Sequence, residues 1–321
     1  MSSEQFKAAS DGFRHVPVLY REVLEYLAVE ADKPMRVIDA TLGSGGHSCL
    51  ILEKNRQAEL LGIDRDGDAL IRAGEKLAFA AGRVRLERGR FSDLADLSTE
   101  AGWVSVDAVL LDIGISSPQI DDSRRGFSIR LDGPLDMRMD QRSPDTASRF
   151  LNHESAQTLE RIFREYGECD KSWKMAKAVV ERRAQQPFAT TSDFAQFCES
   201  VLGRSKPGKL PVSTLYFQAL RIAVNDELEE LRKALPAAMN LLAPGGRLAV
   251  ITFHSLEDRI VKNFFREAAR ECVCPPGLPV CVCKHHAELK LLTRKPVTAQ
   301  EDELRENPRA GSAKLRVAEK I

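Results

Sequence analysis

Asp39, Asp64 and Asp112 each end a short apolar run, and the residues around them are suited to holding a small polar ligand. Val37-Ile38-Asp39-Ala40-Thr41-Leu42-Gly43-Ser44-Gly45-Gly46-His47 passes from strand-forming residues into a glycine-dense turn. Glycine lets the backbone approach a ligand closely, and a helix starting there aims its free N–H groups at it. Leu60-Leu61-Gly62-Ile63-Asp64 ends in an acid about twenty residues further on, which suits the two hydroxyls of a ribose. The pattern predicts a nucleoside-cofactor site at the start of a Rossmann-like sheet.

The glycines read G-x-G-G-H, without the third glycine of the G-x-G-x-x-G loop built around a pyrophosphate. That spacing disfavours a nicotinamide cofactor. S-adenosyl-L-methionine carries a ribose and an adenine but no phosphate, and it fits the pattern. The alternative is a glycine-rich turn with no ligand.

Leu110-Leu111-Asp112-Ile113-Gly114-Ile115-Ser116-Ser117-Pro118-Gln119 ends a later strand. Ligands of open α/β sheets lie at the carboxyl ends of the strands, where strand order reverses. Asp112, Ser116 and Ser117 there offer acceptors for an exocyclic amine, and they are the catalytic candidates. A plain strand-closing turn is the alternative. Thr252-Phe253-His254-Ser255-Leu256-Glu257-Asp258-Arg259 flanks the same crevice. His254 could relay a proton, but the string reads rather more readily as a cap for a helix over Arg259–Arg270. Phe91 follows the third strand, where a ring can cover an adenine or simply fill the core.

These positions require alternating elements. Strand signals recur at Met35–Ala40, Glu59–Asp64, Arg83–Glu87, Asp107–Asp112 and Gly246–Phe253, the first four separated by helix-length segments. Val18 to Val29 reads as a helix, and Leu289–Arg294 and Lys314–Glu319 as a late antiparallel edge. Residues 130–210 read as a helical insertion containing Ser155–Tyr166 and Lys171–Gln185, punctuated by Gly167 and Pro207-Gly208. Val212 to Leu242 reads as one long helical stretch. The α/β domain then comprises residues 1–129 and 211–321, its first 14 residues polar and mobile.

The chain has 321 residues, 43% hydrophobic and 29% charged, enough to build a substantial core. Lys+Arg and Asp+Glu both number 47, so net charge neither supports nor excludes a nucleic-acid partner. The sequence shows neither a transmembrane run nor a signal-peptide core, which points to a cytoplasmic protein without a membrane partner. Arg204, Lys206, Lys209 and Arg221 form one basic segment without acids, and Arg124, Arg125, Arg130 and Arg138 a second basic loop mixed with Asp132 and Asp136. Both are candidate phosphate contacts, or else solvated faces. Tyr166, Trp173 and Phe188 could stack bases, although their helical spacing favours the core. The seven cysteines do not form a secreted disulfide framework. Cys272, Cys274, Cys281 and Cys283 could surround zinc, but C-x-C pairs strain a single centre, so no metal ligand is assigned.

Taken together, these strings resemble the bacterial RsmH (MraW) family of 16S ribosomal RNA cytosine-N4 methyltransferases. The resemblance runs through His15-Val16-Pro17, the glycine turn, Gly62-Ile63-Asp64-Arg65-Asp66, Asp112 to Asp122 and Arg125-Gly126-Phe127-Ser128. It continues through Gly133 to Asp140, Phe217 to Ile222 and Phe253 to Arg259. It implies a Rossmann-like class I methyltransferase sheet with an inserted helical domain that helps receive RNA. It further implies S-adenosyl-L-methionine contacts at Gly45, Gly46, His47, Asp64, Phe91, Asp112 and Gln119, and a target cytidine in the decoding region of 16S rRNA within the small ribosomal subunit. Gly311 departs from the pattern, since the family's tail usually carries an arginine there. The chain lacks a Pro-Cys dipeptide, the usual setting of a cytosine-C5 nucleophile, which favours direct transfer to nitrogen. A DNA amino-methyltransferase and a non-catalytic adenosylmethionine-binding assembly protein are the rival readings.

Overall fold

The computed structural model describes residues 16–206, 208–274, 280, 282–283 and 285–321. The expectations for residues 1–14, His15, Pro207 and Cys281 lie outside the described residues.

Seven strands form one sheet in the order β3-β2-β1-β4-β5-β7-β6. They are β1 Met35–Asp39, β2 Ala58–Asp64, β3 Val84–Arg88, β4 Val106–Asp112, β5 Leu242–Thr252, β6 Leu289–Leu291 and β7 Lys314–Lys320. The first five are parallel, while β7 runs antiparallel to both β5 and β6. Strand order therefore reverses between β1 and β4. Side chains alternate between two buried faces. Val37, Leu60, Leu110 and Ile251 enter one apolar cluster, and Ile38, Leu61, Leu111 and Val250 the other.

The helices around the sheet begin with α1 Tyr20–Tyr26, α2 Gly46–Lys54, α3 Gly67–Lys76, α4 Leu94–Glu100 and α5 Ser117–Asp121. Next come α6 Ala147–His153, α7 Ala156–Glu165, α8 Ser172–Arg183, α9 Thr191–Leu202 and α10 Thr214–Asn225. The last three are α11 Glu227–Leu241, α12 Ser255–Ala268 and α13 Glu301–Glu306. A third apolar cluster joins Phe127, Leu135 and Met139 to buried faces of α6 through α10, with Phe163 packed edge-on against Tyr216. None of the described helices is long and apolar enough to cross a membrane.

Two elements differ from expectation. The helical stretch from Val212 is broken at Asp226, which adopts φ 53°. Asn225, just before it, is tied across the fold: its Nδ2 donates to Met137 O, and Met139 N–H donates to its Oδ1, each at 2.8 Å. The break lets α10 serve the third cluster while α11 turns to cover the sheet. Strand β5 begins at Leu242 rather than Gly246. Val106 pairs with Leu242 but Ala108 with Arg247, so Ala243-Pro244-Gly245-Gly246 forms an irregularity within the strand.

Candidate functional site

A cavity of about 400 Å³ opens at the carboxyl ends of β1, β2 and β4. The glycine turn, Asp64, Phe91, Asp112 and the turn from Ser116 to Gln119 all line it.

The cofactor side rests on β1 and β2. Gly43 takes φ +54°, and a Cβ there would meet only Thr41 O, at 4.0 Å, so the backbone lies open to a close ligand. Its N–H donates to Asp64 Oδ2, and Asp66 N–H donates to Asp64 Oδ1, both at 2.8 Å. Each oxygen keeps a lone pair for another donor. Burial pushes the Asp64 carboxyl above the ordinary aspartate value, against the pull of the Asp66 and Gly43 N–H groups. Gly46 and His47 open α2, where backbone N–H groups have no intrahelical acceptor. Gly45 stands apart from the lining: it caps α2, and a Cβ there would lie 3.4 Å from Ala73 and Leu77 side-chain atoms. Phe91 is buried at the cavity wall with the Arg65 guanidinium 5.5 Å from its ring centroid.

The opposite wall is the β4 turn. Asp112 N–H donates to Thr41 Oγ1 at 2.5 Å, fixing the end of β4 to that of β1. Asp112 Oδ2 lies 3.6 Å from His47 Nε2, and Asp112 Oδ1 is shielded without a hydrogen-bond partner. Ser116 Oγ likewise lacks a partner. An acceptor-rich wall of this kind matches the N–H groups of an amine. Gln119 lines the cavity, but its amide is committed elsewhere. Ser116 N–H donates to its Oε1 at 3.0 Å, and its Nε2 donates to Asp66 Oδ2 at 2.8 Å. The same Asp66 oxygen accepts from Arg125 Nη1 at 2.8 Å, while Arg125 Nη2 donates to the carbonyls of Arg138 and Met139. One buried carboxylate thus joins the β2 loop, the acceptor turn and the Phe127–Met139 segment.

The basic residues separate. Arg125 is buried, and Arg138 is bound to Asp136 and to the carbonyls of Gln141 and Ser143. Arg221 leaves its expected surface segment altogether: it makes paired hydrogen bonds to Glu227, at 2.8 and 2.9 Å, and sits 3.9 Å from Glu257. These three are internal ties rather than phosphate contacts. Arg204, Lys206 and Lys209 are exposed, as are Arg124 and Arg130, although Arg204 lies 3.4 Å from Glu199 and Arg124 pairs with Asp122. Phe188 is in the core, Tyr166 is half-buried and Trp173 is exposed.

His254 caps α12, its Nδ1 accepting the Glu257 N–H at 3.4 Å, and it does not line the cavity. Burial raises the Glu257 carboxyl, but His254 and Arg221 outweigh it and leave the group below its ordinary value.

Several lining residues are not among the site residues the sequence predicts. Glu227 and Arg65 reach the cavity because α11 and the β2 loop converge there. Asn307 and Arg309 reach it from the carboxyl-terminal segment, and Arg309 Nη2 donates to Asp121 Oδ1 at 2.8 Å across 188 residues. Gly311 is exposed, with only Leu304 near a would-be Cβ, so an arginine there would not enter the core.

Residues 12–321 match the model of the MraW methylase family. The ribosomal RNA small subunit methyltransferase H of Heliobacterium modesticaldum is 48% identical over 315 residues, covering 96% of this chain and 99% of that protein. Its counterpart in Heliobacterium mobile is 50% identical over 314 residues, with the same coverage of both. A solved rRNA methylase from Streptococcus thermophilus aligns over 94% of this chain and 95% of its own, at 10% identity and a TM-score of 0.43.

Proposed function

The chain belongs to the MraW methylase family, and from that premise we propose that it transfers the methyl group of S-adenosyl-L-methionine to the exocyclic N4 of a cytidine in the decoding region of 16S rRNA. S-adenosyl-L-methionine supplies an electrophilic sulfonium methyl. Gly43, Gly46, His47, Asp64 and Phe91 hold the nucleoside, with Asp64 taking the ribose hydroxyls.

The observation that carries the acceptor assignment is that Asp112, Ser116 and Ser117 line the same cavity as the glycine loop, with Asp112 Oδ1 and Ser116 Oγ lacking a hydrogen-bond partner. The cytosine amine is a poor nucleophile because its lone pair is delocalised into the ring. Asp112, Ser116 and Ser117 accept hydrogen bonds from its N–H groups and turn the lone pair toward the methyl, and one N4 proton is released to solvent on transfer. Such positioning contributes on the order of 7–11 kcal/mol in favourable cases. The target base must be single-stranded or flipped, because in-line attack on N4 is blocked inside a stem. Residues 130–210 act as the helical insertion that receives RNA, with phosphates against Arg204, Lys206 and Lys209.

The test is labelled methyl transfer to unmodified 16S rRNA, to small subunits and to DNA, followed by nucleoside mass spectrometry. N4-methylcytidine is expected, and Asp112→Ala should lower turnover. Label on cytosine C5, on DNA, or on no substrate would overturn the reading.

A further inference from the structure

Cys272, Cys274 and Cys283 converge on the excursion between α12 and β6, and none of them lines the cavity. Their sulfurs all lie within 4.8 Å of one another, and Cys283 Sγ is 3.7 Å from Cys272 Sγ. Zinc binds thiolates at about 2.3 Å in a tetrahedron, which sets neighbouring sulfurs about 3.8 Å apart. A disulfide would need about 2.05 Å. The backbone also serves these sulfurs. Cys274 N–H donates to Cys272 Sγ, and Val282 N–H donates to Cys274 Sγ, each at 3.4 Å. Donors of this kind favour the charged thiolate and are a common second layer around bound metal.

The described part of the excursion has no apolar core of its own. Between Phe265 and Leu289 no described residue is buried, and Val280 and Val282 are 70% and 71% exposed. Its base is closed by Glu288 N–H donating to Ala268 O at 2.8 Å. Ordering backbone costs about 1–2 kcal/mol per residue, and among the described residues of the excursion no apolar burial offsets that. Metal binding is a source of folding free energy that needs no apolar core.

We propose that Cys272, Cys274 and Cys283 bind one Zn²⁺ as thiolates, releasing their protons to solvent, in a structural site that fastens this excursion at the sheet edge. A ligand beyond these three completes the tetrahedron.

The test uses the full chain, purified under reducing conditions without a metal-affinity step. Elemental analysis should find about one zinc per chain. Cobalt-substituted protein should show thiolate-to-metal charge-transfer absorption. Cys272→Ser and Cys283→Ser should each lose both signals, while Cys49→Ser on α2 keeps them. A chelator should lower the parent's melting temperature but not that of the two loop variants. The parent spectrum decides the matter even if a loop variant fails to fold. Failure of the reduced parent to take up zinc or cobalt, or retention of full metal by Cys272→Ser, would overturn the proposal.

Discussion

Replacing Asp64 by asparagine tests the cofactor assignment at one atom. The carboxylate accepts two backbone N–H groups, from Gly43 and Asp66, each at 2.8 Å. Its two remaining lone pairs suit two ribose hydroxyls. Asparagine has one acceptor and one NH₂ group, so one backbone donor must face another donor, and one ribose bond is lost with the charge. A hydrogen bond to a charged group contributes about 1.5–3 kcal/mol. Affinity for S-adenosylhomocysteine, which shares the ribose, should therefore fall about 10- to 150-fold. Titration calorimetry measures it, and a thermal melt confirms that the variant is folded. The parent should also show a pH dependence of definite sign. Burial raises the free Asp64 carboxyl above 3.8, and the hydroxyls bind its ionised form. Affinity should thus increase as pH rises through that raised value, while Asp64→Asn should stay flat. A folded Asp64→Asn protein with parental affinity would refute the ribose assignment.

Asp39 is buried and holds Ser48 Oγ at 2.6 Å, and burial pushes its carboxyl up to about 6. Because the folded value exceeds the unfolded one, this group's contribution is full below pH 3.8 and is lost as pH rises to about 6. Near neutrality Asp39→Asn should gain up to about 3 kcal/mol relative to parent; urea titrations in which the difference between the two does not change from pH 4 to 7 would exclude this. Joint alanine replacement of Arg204, Lys206 and Lys209 should weaken RNA binding and flatten its salt dependence by about one unit per lost phosphate contact, leaving cofactor affinity unchanged. An unaltered salt slope would make the segment a solvated face and direct attention to Arg124 and Arg130.

The sheet is legible in the sequence because parallel strands buried on both faces must be continuous apolar runs. Their acids stand out at the ends, where the chain leaves the core. The interval between β4 and β5 is equally plain, being far too long for one crossover. What the sequence hides is the partner of each charge. Arg204 and Arg221 belong to one acid-free segment, yet the first is exposed and the second lies between Glu227 and Glu257. Those acids arrive on α11, which starts at the break at Asp226, and on α12, which follows β5. Asn225-Asp226 is a pair that tolerates the left-handed backbone, but the contacts that accompany the break, from Asn225 to Met137 and Met139, reach more than eighty residues back.

Gln119 shows the same limit inside the site. Its position after β4 places it at the cavity, as the family resemblance implies, but its amide is held by Ser116 and Asp66. Those bonds fix the turn that carries Ser116 and Ser117, on the wall opposite Asp64. Asp66 holds Gln119 and Arg125 with one oxygen, so the acceptor turn and the Phe127–Met139 segment are set by a single buried charge. Removing either partner would leave that carboxylate short of a donor, a larger penalty than one surface hydrogen bond. The geometry of the acceptor wall is thus tied to the helical unit beside it. A sequence read one motif at a time cannot display that tie, because its three members lie on separate segments and meet only once the sheet and the third apolar cluster have packed.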